Sequence, residues 1–110
     1  MTKQLTDREL LERVRDRLAK HGWTRGEFFA DSGKRCLMGA AGVGSVRVKI
    51  ARLLLPIVLG QFPEVSKRAG AFNIKHEARI IEDFNDSVAL DVTDIEMVLD
   101  KAIIKAAEHE

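Results

Sequence analysis

Apolar residues recur at helical spacing along most of the chain, and no alternating stretch is long enough to compete as a strand. Leu10, Leu11, Val14 and Leu18 fall three and four apart while Arg8, Glu12, Arg15 and Asp16 fall outside that stripe, the pattern of a helix that buries one face. Its start is marked by Thr6-Asp7-Arg8-Glu9, a capping box in which the Thr6 hydroxyl and the Glu9 carboxylate each take up a backbone N–H. Leu5 and Leu10 supply the flanking staple, and Gly22, after Lys20 and His21, is the stop. The same device recurs at Thr93-Asp94-Ile95-Glu96, flanked by Val92 and Met97. It predicts a terminal helix whose stripe runs through Ile95, Val98, Leu99, Ala102, Ile103 and Ala106. Packing is the default role of that stripe, with a dimer or partner groove as the alternative.

Between these ends the pattern predicts shorter elements. Cys36 to Ala41 reads as a brief helix closed by Gly42 and Gly44, and Val46 to Leu59 as a central helix, apolar nearly all round. Pro56 either kinks that helix or begins a separate turn, because it lacks an N–H and clashes with the preceding turn. The β-branched run from Val43 to Ile50 leaves a strand as the local alternative. Phe62-Pro63 opens a segment that Gly70 ends; Asn73 stands as N-cap of a helix through Phe84, with Ile80, Ile81 and Phe84 inward, and Asn85-Asp86-Ser87 breaks it. The expectation is all-α: one domain over residues 1–110, a compact bundle of five or six short helices around Ile50 to Leu59.

Composition narrows the class. A chain of 110 residues suits one domain, since halves of it would be too small for adequate cores. With five Phe, one Trp and no Tyr, aliphatic side chains must carry the core. Cys36 is the only cysteine, which excludes an internal disulfide and a thiolate zinc site within one chain and points to a reducing, cytoplasmic setting. The first 20 residues are charged and amphipathic, unlike a signal peptide. The apolar run from Ile50 to Leu59 contains Arg52 and Pro56 and is about half a membrane span, so it reads as core.

Formal net charge is +1, but its distribution is lopsided: through Arg68 there are 14 Lys/Arg against 7 Asp/Glu, and from Ala69 onward 4 against 10. Either the two segments pair with each other, which is the first reading, or the basic segment faces an anionic partner such as nucleic acid. For the latter, Arg13, Arg17, Lys20, Arg25, Lys34 and Arg35 are the candidate phosphate contacts, with Arg15 beside them. The first helix also carries Asp7, Glu9, Glu12 and Asp16, a mixture closer to a solvated, ion-paired helix than to a recognition helix.

One local constellation points to catalysis. Lys34 and Arg35 precede Cys36, and a helix N-terminus at that point would favour the thiolate. A cysteine nucleophile needs an imidazole base and an orienting group, for which His76 and Asn85 or Asp86 are the candidates. Against this stands the plainer reading of Cys36 as a small buried apolar residue. Gly39, Gly42 and Gly44 match neither the dinucleotide fingerprint nor a P-loop and read as close helix packing. Trp23 with Phe28 and Phe29 reads as an aromatic lid over an aliphatic core. Glu82, Asp83, Asp86, Asp91 and Asp94 lack the order of a calcium loop, and His21, His76 and His109 lack metal-ligand spacing, so no cofactor or metal is expected.

Trp23, Cys36-Leu37-x-Gly39-Ala40, Phe84-Asn85-Asp86 and a capped terminal helix with Val98-Leu99-x-x-Ala102 together resemble a family of short uncharacterised proteins of actinobacteria and their phages. The resemblance covers residues 5–106. It departs at Phe84, where that family commonly carries Trp. It implies a small cytoplasmic protein, phage-encoded in some members, with no catalytic residues assigned. An Asn-Asp pair after an aromatic at a helix end can also tie the following loop to the backbone through its side-chain oxygens. The leading functional reading is a non-enzymatic protein-interaction module that self-associates or binds a protein partner. The alternatives are nucleic-acid binding through the basic segment and a cysteine-dependent enzyme using Cys36.

Overall fold

The computed structural model describes residues 4–28 and 30–110. Its order is α1 (Asp7–His21), α2 (Leu37–Ala41), α3 (Gly44–Gln61), α4 (Pro63–Ala71), α5 (Glu77–Asp83), a π-helical turn (Phe84–Val88) and α6 (Val92–Glu108). No regular strand occurs among the described residues; there is a single bridge between Trp23 and Arg35. The chain is a compact all-α bundle of six short helices, and α3 packs against every other helix. No helix is long and apolar enough to cross a membrane.

The first capping box forms as the sequence predicts: Glu9 N–H donates to the Thr6 hydroxyl at 3.1 Å and Thr6 N–H donates to the Glu9 carboxylate at 3.1 Å. Gly22, at φ 87, ends α1 with its N–H on the Leu18 carbonyl. Leu11, Val14 and Leu18 are the buried stripe. α3 begins at Gly44, so Val43 to Ile50 is helical rather than extended, and it runs through an exposed Pro56 to Gln61 without a break. Ile50, Ala51, Leu54 and Val58 are fully buried along it.

Three boundaries depart from the sequence reading, each for a local reason. Asn73 does not open α5. At φ 56 it closes α4, with Asn73 N–H on the Gly70 carbonyl and Ile74 N–H on that of Ala69, a Schellman motif in which Asn takes the left-handed position. Nor does Thr93 cap α6, since Asp91 does so by accepting Thr93 N–H at 2.8 Å, while the Asp94 carboxylate accepts Leu90 N–H at 2.8 Å. An Asp two positions earlier offers an equally good cap together with a second carboxylate at N3, so the helix starts at Val92. Finally, Asn85-Asp86-Ser87 does not break the helix. The Ala89 N–H reaches the Phe84 carbonyl five residues back, and α5 widens into the π turn instead of ending.

The residues between α1 and α2 form a strap across the bundle. Thr24 N–H donates to the Arg35 carbonyl and Arg35 N–H to that of Gly22. The strap lies directly on α2, all five of whose residues are buried. A Cβ added at Gly39 would stand 2.1 Å from the Phe28 carbonyl oxygen, so only glycine admits that approach. Of the aromatic lid, Phe28 is half-exposed and Phe29 lies outside the described residues.

The charge asymmetry is partly internal. Arg8 pairs with Glu110 at 3.1 Å, Arg15 with Asp100 at 3.9 Å, Arg52 with Glu77 at 3.1 Å and Arg68 with Asp83 at 2.9 Å, each joining the basic segment to the acidic one. Arg68 holds Asp83 through two parallel bonds and is the least exposed of the four; the more exposed pairs are screened by solvent and add little to stability.

Two glycine substitutions separate packing from propensity. Gly39→Ala pushes the strap off α2 and lowers the unfolding free energy in urea by about 2–3 kcal/mol, the range of overpacked cores. Gly60→Ala in α3, where an added Cβ meets nothing within 4 Å, raises it by about 0.5–1 kcal/mol.

Candidate functional site

Of the residues singled out for chemistry, Cys36, Asn85 and Asp86 converge where the strap, α2 and the π turn meet, and Asn85 is their hub. It is the only buried polar or charged residue among those described, at 0 % exposure. The π turn sets its position, because the extra residue per turn rotates the side chain beneath the strap; such turns recur at functional or strained sites. Asn85 Oδ1 accepts from Trp23 Nε1 at 2.6 Å and from Leu37 N–H at 3.0 Å. Its Nδ2 donates to the Thr24 carbonyl at 3.2 Å and to Asp86 Oδ1 at 2.8 Å. Two acceptances and two donations exhaust what a primary amide offers.

Asp86 passes the connection on by accepting Gly26 N–H at 2.8 Å. Arg25 donates to the Ala89 and Leu90 carbonyls and lies 5.0 Å over the Trp23 ring. The Asn-Asp pair therefore does tie a loop down through its side chains, but the loop is the strap some 60 residues earlier rather than the segment that follows.

Cys36 sits beside this hub as the N-cap of α2. Its Sγ accepts Gly39 N–H at 3.3 Å, and the residue is 4 % exposed. Burial pushes its thiol above the usual range; the N–H groups of Gly39 and Met38 pull the other way, and Asp86 and Glu82 add to the rise. This direction is opposite to the one that a helix N-terminus and preceding cations favour. A cavity of about 150 Å³ lined by Gly26, Glu27, Phe28, Cys36, Glu82 and Asp86 adjoins the sulfur and contains no imidazole. His76 is exposed at the start of α5 and lines a separate cavity with Phe72, Lys75 and Arg79. The structure thus brings Cys36 and Asn85 to one place, both engaged with backbone, and puts His76 elsewhere.

The model of one protein family matches residues 2–105, nearly the whole chain. The chain belongs to the family of unknown function DUF6197. No curated protein and no solved structure matches it.

The remaining candidates divide by partner. Arg17 Nη1 donates to the Ala40 carbonyl at 2.9 Å and Arg47 Nε to that of Gly42 at 2.7 Å, so two guanidinium groups flank the exit of α2. Arg47, which the sequence reading passed over, also lies 4.3 Å over the Phe28 ring. Lys34 packs along Gly22. Arg35 is half-buried near His21, whose imidazole is held below its usual range by burial and then by Arg35 and Lys20. Arg13 and Lys20 are exposed on α1.

The acidic residues have structural partners too: Asp83 on Arg68, Asp86 on Gly26, Asp91 and Asp94 at the start of α6. No group of three or more metal-ligating side chains occurs among the described residues.

Replacing Asn85 tests the hub. Asn85→Ala strands the buried Leu37 N–H and the Trp23 indole N–H, at about 1–3 kcal/mol for each group left unpaired. Urea unfolding should show a total loss of about 3–4 kcal/mol, against about 1 kcal/mol for Trp23→Phe, which removes a single bond.

Proposed function

We propose that the chain is a non-enzymatic interaction module. The supporting observation is the state of Cys36, the one side chain of nucleophilic character in the cluster: it is buried, serves as a helix cap and is biased toward the neutral thiol. A nucleophile needs the opposite, an accessible sulfur of lowered pKa beside a base. Trp23 likewise directs its indole N–H at the Asn85 side chain, and Asn85 and Asp86 bond backbone groups of the strap and of α2. The chemistry of the cluster is that of a scaffold that fixes a surface, and an accessory or regulatory role in the cell requires no more than that.

Thiol chemistry tests the reading. Iodoacetamide at mildly alkaline pH should label the folded chain at least about a hundredfold more slowly than the chain unfolded in guanidinium. Labelling of the folded chain at the rate of a free thiol contradicts the reading.

The same burial fixes a pH dependence. The folded-state thiol pKa lies above the unfolded one, so this contribution is complete below the unfolded value of about 8.5 and is lost as pH rises through the folded value. Cys36→Ser replaces the capping sulfur with a hydroxyl oxygen, itself a good N-cap acceptor, and removes the titration. The melting temperature of the wild type should therefore fall relative to that of Cys36→Ser as pH goes from 8 to 10, and an unchanged difference contradicts the assignment.

A further inference from the structure

The cations of the basic segment divide into two sets. Arg8, Arg15, Arg52 and Arg68 are paired with carboxylates of the acidic segment. Arg13, Lys20 and Lys34 form no ion pair among the described residues, and Arg17 and Arg47 are bonded to backbone carbonyls, so none of the five is in direct contact with a carboxylate there. Arg13, Arg17 and Lys20 stand four and three residues apart on α1 and share one side of it. Arg17 lies 3.8 Å from the space beside Gly42, whose carbonyl Arg47 holds. Lys34 lies along Gly22 at the end of the same helix. The set therefore runs continuously from α1 over the exit of α2 to the first turn of α3. That turn carries no acidic residue. Among the carboxylates of α1, Glu9 closes the capping box, and Glu12 and Asp16 both lie beside Arg15.

Resting on the reading of the chain as an interaction module, we propose that this face binds the phosphate backbone of nucleic acid without reading sequence. A phosphate backbone asks for positive charge and N–H donors at a surface, and five such cations beside a helix start supply both. Base readout would require aromatic or forked side chains directed outward. Here Trp23 is engaged with Asn85, and the Arg17 and Arg47 forks are partly engaged with carbonyls. The exposed apolar side chains at this face are Phe28, which is covered by the Arg47 guanidinium, Val43 and Val46, too few for the centre of a stable protein interface of about 800 Å² per side. A symmetric dimer through this face would set like charges against each other.

Fluorescence anisotropy with a labelled duplex of about 20 base pairs, titrated with the full chain between about 50 and 200 mM salt, tests the proposal. Five phosphate contacts predict a log–log salt slope of about −4.5, with a Kd of about 1–100 µM at the upper end of that range. Arg13→Gln/Lys20→Gln should weaken binding at least about tenfold at low salt and flatten the slope by about 2. Lys75→Gln/Arg79→Gln, which removes two cations at the start of α5, should change it less than about twofold, circular dichroism confirming the fold of both variants.

Absence of binding at the lowest salt overturns the proposal, as does equal weakening by the two variants. A labelled peptide of alternating Glu and Leu supplies the other partner class. If it binds with little salt dependence and loses binding in Val43→Ser/Val46→Ser, the face belongs to a protein partner and the phosphate assignment falls. In either case the interaction-module reading survives, since that reading fails on the reactivity of Cys36.

Discussion

A single buried amide holds together parts of the chain that have no other reason to meet. Asn85 joins the strap, through Trp23 and Thr24, to the first residue of α2, through Leu37, and does so from a turn about 50 residues further along. A buried polar group with every hydrogen bond made is close to neutral in net stability, but the same group with one partner missing costs its full desolvation. The arrangement is therefore sharply selective: displacement of the strap by even one residue leaves the Trp23 indole N–H and one Nδ2 hydrogen of Asn85 without their partners in a low-dielectric interior. Apolar packing makes the bundle compact; the amide decides which way the strap crosses it.

The surrounding features follow from that requirement. The π turn exists because an α-helical continuation would rotate Asn85 away, and the Ala89 to Phe84 bond records the added residue. α2 is five residues of small or aliphatic side chains with Gly39 under the Phe28 carbonyl, since anything larger would lift the strap beyond hydrogen-bond reach of Asn85. Cys36 caps α2 because its sulfur can accept an N–H in a space with little water. With the polar cluster directed inward, the outer charge pattern carries the interaction chemistry. Four arginines of the basic segment neutralise carboxylates of α5 and α6 or the chain's end, and the cations over the α2 exit are left facing outward.

Helices with a one-sided stripe were legible in the sequence, as α1 and α6 show, because the spacing of Leu11, Val14 and Leu18 or Ile95, Val98 and Leu99 follows from burial alone. Boundaries set by competition between adjacent polar residues were not. Asp91 and Thr93 are both good caps, and Asn73 suits a helix end as well as a helix start. Pairing of the two charge segments was visible as an imbalance, though not which arginines would be left over, since Arg47 looks from its neighbours like any surface cation of α3. Asn85 was recognised as a structural tie, yet its true partners were hidden. A π turn has no composition of its own, and hydrogen bonds across 48 to 62 residues leave no periodic trace. Cys36 and Asn85 were candidates for one site in the sequence without any sign that they meet; in the fold they stand side by side, Asn85 bonded to the Leu37 N–H and Cys36 capping the same helix.

Hydrogen exchange followed residue by residue in the native protein tests the Asn85 tie most directly. If Asn85 holds the strap, the Trp23 indole N–H and the Leu37 amide should exchange only through global unfolding, with the same free energy and the same denaturant dependence as Ile50 and Leu54 in α3. Exchange of these two protons by a local opening that is insensitive to denaturant, while α3 stays protected, would show that the strap moves independently of the core and would contradict the account.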